Sequence, residues 1–121
     1  GSLPRRDSEL VILRVAHLRS CAYEQAHHVR LGRRAGLSAA DLERIAAGPD
    51  APGWTPRQQL LLRAVDELHS TQNLVDETWT ALRAELSETD GIELVMLAGH
   101  YEMLATAITA LRIQPDPPRS R

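Results

Sequence analysis

Apolar residues along this chain recur at three- and four-residue steps, and the interruptions between them are helix caps rather than strand turns. Leu10, Leu13 or Arg14, and His17 or Leu18 step along a first predicted helix, with Asp7 or Ser8 as its cap. Ser20 can open a second helix, with Cys21 in its first turn, running to Ala35 and stopped by Gly36. The pattern leaves open whether the chain bends at Ser20 or runs straight through. Ser38-Ala-Ala-Asp41 has the form of a capping box and starts a short helix to about Ala47, ended by Gly48. After a loop through Trp54, Thr55-Pro56-Arg57-Gln58 combines a capping box with proline at the first helical position. The helix that follows carries Leu60, Leu61, Ala64, Val65 and Leu68. A shorter one holds Trp79, Leu82 and Leu86. The last, from about Thr89 to Leu111, is apolar around much of its surface, which places it at the centre of the fold or at a subunit interface. No strand pattern emerges. The expected class is all-α, one helical domain of about five to six helices spanning residues 1–121, with 114–121 a frayed tail rich in proline.

Composition narrows the functions. Aromatics make up 3% of 121 residues and Phe is absent, so the core must be Leu, Ala, Val and Ile. Such a core buries less area per residue, and partner subunits would help to cover an apolar face. A homo-oligomer is therefore expected. The net charge of −2 comes without a basic stripe, which argues against nucleic acid. All 14 basic residues are Arg. With no lysine there is no Schiff-base chemistry, pyridoxal phosphate attachment or phosphate-loop lysine. A single cysteine forbids an intramolecular disulfide. With no long apolar run and no signal or lipidation motif, no membrane partner is expected, and the expected location is cytoplasmic.

The chemistry-bearing residues crowd into ELVILRVAHLRSCAYEQAHH, Glu9 to His28. Here two carboxylates, a thiol, a phenol and an imidazole sit among apolar helix residues. Embedded ionisable groups of this kind are what acid–base and thiol chemistry require. The candidates are Glu9, Cys21, Tyr23, Glu24 and His28, expected to converge on one enclosed cavity. Glu24 and His28 pair at i, i+4. On a straight helix His17, Cys21, Glu24 and His28 share one face; in a bent chain Cys21 sits at a helix N-terminus. Glu24-x-x-His27 has the spacing of carboxylate di-iron bundles, but the motif does not occur a second time, and neither metal nor cofactor is expected.

From Leu3-Pro4 through Glu9, CAYEQAHH and Gly36-Leu37-Ser38 to the Trp54 loop and IELVMLAGHYEMLA, the chain resembles the carboxymuconolactone decarboxylase and alkylhydroperoxidase D-like superfamily. The resemblance implies an all-helical dimer, trimer or hexamer. In the peroxidase branch a glutamate precedes Cys-x-x-Cys and a histidine. Glu9, Cys21 and His28 fall on the glutamate, the first cysteine and the histidine, whereas Glu24 stands at the second cysteine and Tyr23 at a second histidine. The resolving disulfide of that branch cannot form here. Relatives often carry a further helical segment upstream, and the resemblance therefore implies a short version or a fragment as the expectation.

The resulting expectation is a cofactor-independent acid–base enzyme, a decarboxylase, lyase or isomerase, working on a small organic acid, lactone or enolisable carbonyl compound. His28 moves the proton, with Glu9 or Glu24 holding it, and Arg14, Arg19 or Arg30 is left to grip a substrate carboxylate. The alternatives are a one-cysteine thiol-dependent hydroperoxidase and a non-catalytic small-molecule-binding oligomer.

Overall fold

The computed structural model describes residues 2–114; Gly1 and the prolines of the expected frayed tail lie outside the described residues. Six helices follow in order: α1 (Arg5–Leu18), α2 (Ala22–Arg34), α3 (Ala39–Ala47), α4 (Pro56–Thr71), α5 (Asp76–Glu85) and α6 (Glu88–Ala110). Among the described residues there is no strand. The all-α expectation is met.

The centre belongs to α1, which packs against α2, α3, α4 and α6. Leu10, Val11, Leu13 and Val15 are buried along it, and they meet Leu61, Leu62 and Val65 of α4 and Leu94 and Ala98 of α6. Helix α6 is instead peripheral. Its uniform apolarity covers the core on one side and leaves Ile92, Met96 and Met103 at 59%, 68% and 60% exposure on the other.

Local signals set most helix ends. Ser38 and Asp41 form a reciprocal capping box, and so do Thr55 and Gln58, with Pro56 at the start of α4. Gly36 and Gly48 take φ of +107° and +95° beyond the ends of α2 and α3, where a side chain is strained. The start of α1 differs from expectation. Its first residue is Arg5, and neither Asp7 nor Ser8 is the cap. Asp7 is buried in the first turn, and its carboxylate accepts from Arg57 of α4 at 3.0 Å.

Arg14 is likewise spent on structure. It donates to both carboxylate oxygens of Asp66 (2.8 and 3.0 Å) and to the Ile45 carbonyl at 2.7 Å, tying α1 to α4 and α3. A planar guanidinium suits this fork of acceptors.

Candidate functional site

The chain bends between α1 and α2. Ser20 adopts φ +51°, and Cys21 becomes the N-cap of α2. That bend folds α2 back along α1, and the two helices approach closely at Gly32. A Cβ there would come within 3.1 Å of the Leu13 and Leu37 side chains and 3.9 Å of the Glu9 Cβ. One turn before Gly32, His28 is carried directly onto Glu9. The straight-helix face of His17, Cys21, Glu24 and His28 does not exist, and His17 is exposed.

Both ring nitrogens of His28 face carboxylate oxygens: Nδ1 lies 2.7 Å from Glu9 Oε1, and Nε2 lies 3.1 Å from Glu24 Oε2. The side chains of His28, Glu9 and Glu24 are 6%, 6% and 8% exposed. The two contacts are not equivalent. Glu9 makes an aligned hydrogen bond, whereas Glu24 Oε2, buried and close in charge, lies off any hydrogen-bond direction and has no hydrogen-bond partner. An imidazole with protons on both nitrogens satisfies the two carboxylates; a neutral one turns a lone pair toward one of them unless that carboxyl holds the proton.

Two further rings touch His28 edge-on. Exposed His27 lies at 4.8 Å between centroids, and Tyr101 of α6 at 5.3 Å. Burial, then the charges of Glu24 and Glu9, push the Tyr101 phenol above its ordinary value, so it stays protonated. Its hydroxyl makes no hydrogen bond among the described residues. Sequence reasoning missed Tyr101. It stands 73 positions after His28, on a helix too uniformly apolar to show which face turns inward.

Cys21 and Tyr23 are placed elsewhere. They line a small cleft of about 200 Å³ with Thr109, Arg112 and Ile113 at the end of α6, and Glu9, Glu24 and His28 take no part in its wall. The Cys21 thiol is buried and unbonded among the described residues. The five expected residues thus divide into a carboxylate–imidazole–carboxylate cluster and a neighbouring thiol–phenol cleft. The arginines expected to hold a substrate carboxylate are also dispersed: Arg14 binds Asp66, Arg19 binds Glu102, and Arg30 is exposed. Among the described residues no group of three or more His, Cys, Asp or Glu side chains is arranged to hold a metal ion.

A helical domain with a buried Glu–His–Glu cluster at the junction of its first two helices is the class these observations define. Residues 1–67, more than half of the chain, match the model of the carboxymuconolactone decarboxylase family, and the chain belongs to that family. No curated protein matches it significantly. A crystal structure of a protein of unknown function from Agrobacterium tumefaciens, described as a candidate antioxidant defence protein AhpD, superposes with a TM-score of 0.85 over 97% of this chain and 82% of that one. At 23% identity the likeness is one of fold.

Proposed function

We propose that this chain is a cofactor-independent acid–base enzyme, a decarboxylase, lyase or isomerase of the carboxymuconolactone decarboxylase kind, acting on a small lactone, enolisable carbonyl compound or organic acid. The observation that carries this reading is the inequality of the two carboxylates around His28. Glu9 is locked to Nδ1 and fixes the ring, as an orienting carboxylate does in other imidazole-centred sites. Glu24 has a buried oxygen without a hydrogen-bond partner, 3.1 Å from His28 Nε2, and is the group free to take a proton from substrate. Tyr101, kept protonated, supplies a donor for the oxyanion that develops when an enolate forms. Cys21 and Tyr23, in the adjoining cleft, are available to contact the remote part of a substrate.

The test is solvent deuterium incorporation at the activated carbon of a panel of lactones and β-keto acids, followed by proton NMR. Glu24→Gln and His28→Gln are expected to lower exchange by about 10²–10⁴-fold, the usual worth of a positioned proton-transfer group. Glu9→Gln is expected to cost less, and Cys21→Ser least. Full exchange in Glu24→Gln refutes the assignment.

A second reading is favoured by the seat of Cys21 at the N-terminus of α2, with its thiol in a cleft and unbonded. As a one-cysteine hydroperoxidase, the sulfur attacks the peroxide, the O–O bond breaks and the alcohol leaves. An external thiol condenses with the resulting sulfenic acid, releasing water and leaving a mixed disulfide, and a second external thiol displaces the first as a disulfide and restores the Cys21 thiol. Peroxide consumption that Cys21→Ser abolishes and Glu24→Gln spares establishes it. In either case we infer self-association through the exposed stripe of α6, which supports the expectation that an aromatic-poor core is completed by a second copy.

A further inference from the structure

The fold sorts the charges of this chain. From Ser2 to Leu42 every carboxylate, Asp7, Glu9, Glu24 and Asp41, is buried, while every arginine except Arg14 is exposed. The net charge of −2 conceals this, because most acidic residues come later in the chain.

The bend at Ser20 then gathers arginines from two helices at one end of the molecule. Helix α2 runs back along α1, so that Gly32 lies opposite Glu9, and a Cβ on Gly36 would stand 3.8 Å from Arg6 Cδ. Arg5 and Arg6, in the first turn of α1, therefore sit beside Arg33 and Arg34, in the last turn of α2. Arg30 is one turn earlier, on the face it shares with Arg33 and Arg34 at i, i+3 and i+4. Their charges are left almost unopposed. Asp41 is held by Arg44 at 2.8 Å and comes within only 3.8 Å of Arg6. Arg33 reaches the Leu37 carbonyl at 3.5 Å, and Arg5, Arg30, Arg33 and Arg34 make no ion pair among the described residues. The carboxylates that border the patch are exposed Glu43 of α3 and half-buried Asp90 and Glu93 of α6, which accept from Ser2 and Leu3.

The patch lacks what a lipid or protein partner would use. Val29, at 39%, is the one large apolar side chain exposed on α1 or α2, so there is neither a wedge for a membrane nor an apolar centre for a protein interface. Tyr23 is drawn into the cleft beside Cys21, which leaves no Tyr or Trp ring for bases to stack on. A polar, cationic face of guanidinium forks without carboxylates matches an array of phosphates. We propose that the arginines at the start of α1 and the end of α2 bind the phosphate backbone of duplex nucleic acid without reading its sequence.

The experiment is fluorescence anisotropy of a labelled DNA duplex of about 20 base pairs with the intact chain, over about 25–150 mM KCl. Log Kd is expected to rise linearly with log[KCl] with a slope of about 3–4.5, the release of counterions by up to this set of arginines, and a shuffled duplex is expected to bind equally. Joint Arg30→Gln and Arg34→Gln, both at exposed positions, is expected to lower that slope by about two and weaken binding, with the melting temperature unchanged. Joint Arg63→Gln and Arg83→Gln, on α4 and α5, is expected to leave slope and affinity as they were. No binding at about 25 mM KCl, an unchanged slope after Arg30→Gln and Arg34→Gln, an equal loss after Arg63→Gln and Arg83→Gln, or tighter binding to phosphatidylserine vesicles than to the duplex would each overturn the proposal.

Discussion

The unequal grip of Glu9 and Glu24 on His28 can be measured by stability before any substrate is known. Consider two double-mutant cycles, one pairing Glu9→Leu with His28→Leu and the other pairing Glu24→Leu with His28→Leu. His28→Leu alone leaves two carboxyl side chains, 6% and 8% exposed, without the imidazole that lies between them, and by the usual cost of stripping the partner from a buried polar pair it destabilises by about 3–5 kcal/mol. A domain of this size holds about 5–15 kcal/mol, so the cycles are read at a temperature where the His28→Leu urea curve keeps a folded baseline. Replacing Glu9 as well removes one stranded carboxyl and recovers part of the loss. The aligned 2.7 Å contact of Glu9 with Nδ1 predicts a coupling energy of about 2–3 kcal/mol, that of a charge-assisted hydrogen bond in a dry site. The Glu24 contact, 3.1 Å but off the hydrogen-bond direction, predicts about 1 kcal/mol. Urea denaturation followed by far-ultraviolet circular dichroism at pH 7 gives both numbers, provided the m-value is unchanged. Coupling energies equal within about 0.5 kcal/mol, or a larger value for Glu24, refute the division into an orienting and an exchanging carboxylate.

Tyr101 carries a pH signature. Because burial and then the Glu24 and Glu9 charges raise its folded value above 10.0, the stability it contributes is complete below pH 10 and falls as pH rises through the folded value; Tyr101→Phe should flatten that alkaline slope in thermal melts. Arg14→Met strands the Ile45 carbonyl and half-buried Asp66 and is expected to cost about 3 kcal/mol in urea unfolding, with Arg14→Lys recovering only part because an ammonium cannot span the fork. Met96→Glu puts a charge in the middle of the exposed α6 stripe; it should shift sedimentation-equilibrium mass to that of a single chain without lowering helix content, and an unchanged mass refutes the stripe as the contact.

What could be read from the sequence was whatever depends on short range. The capping boxes at Ser38 and Thr55 and the glycine stops at Gly36 and Gly48 are fixed by neighbours three or four residues away, and all are present. The Glu24–His28 pair is equally local. Glu9 could be placed with them because its spacing from Cys21 and His28 matched the family pattern. The errors came where a distant element decides. Asp7 has the chemistry of a cap, yet Arg57 on α4 claims it. Arg14 and Arg19 looked available for substrate until Asp66 and Glu102 were placed opposite them. Cys21 shares a sequence window with Glu24 and His28, but as the N-cap it faces the end of α6 instead. Tyr101 could not be anticipated, because α6 presents apolar residues all round and its inward side is chosen by packing on α1 and α4.

The electrostatics of the Glu9–His28–Glu24 cluster also constrain what it can act upon. Two carboxyl groups share one imidazole, so the cluster has more acidic than basic groups, and all three side chains are only 6–8% exposed. No lysine exists to offset it, and Arg14 and Arg19 are committed elsewhere. An anionic group brought against this cluster would meet like charge at low effective dielectric, where repulsion is weakly screened. Under the proposed reading a substrate whose acidic end lies away from the reacting carbon, or is absent, is therefore favoured, and the lactones of the test panel are expected to exchange faster than the β-keto acids. A neutral lactone or carbonyl compound, whose acidic C–H meets Glu24 and whose oxygen meets the protonated phenol of Tyr101, satisfies both the charge and the donor pattern. If Glu24 removes a proton as proposed, the same residues are expected to disfavour dianionic substrates.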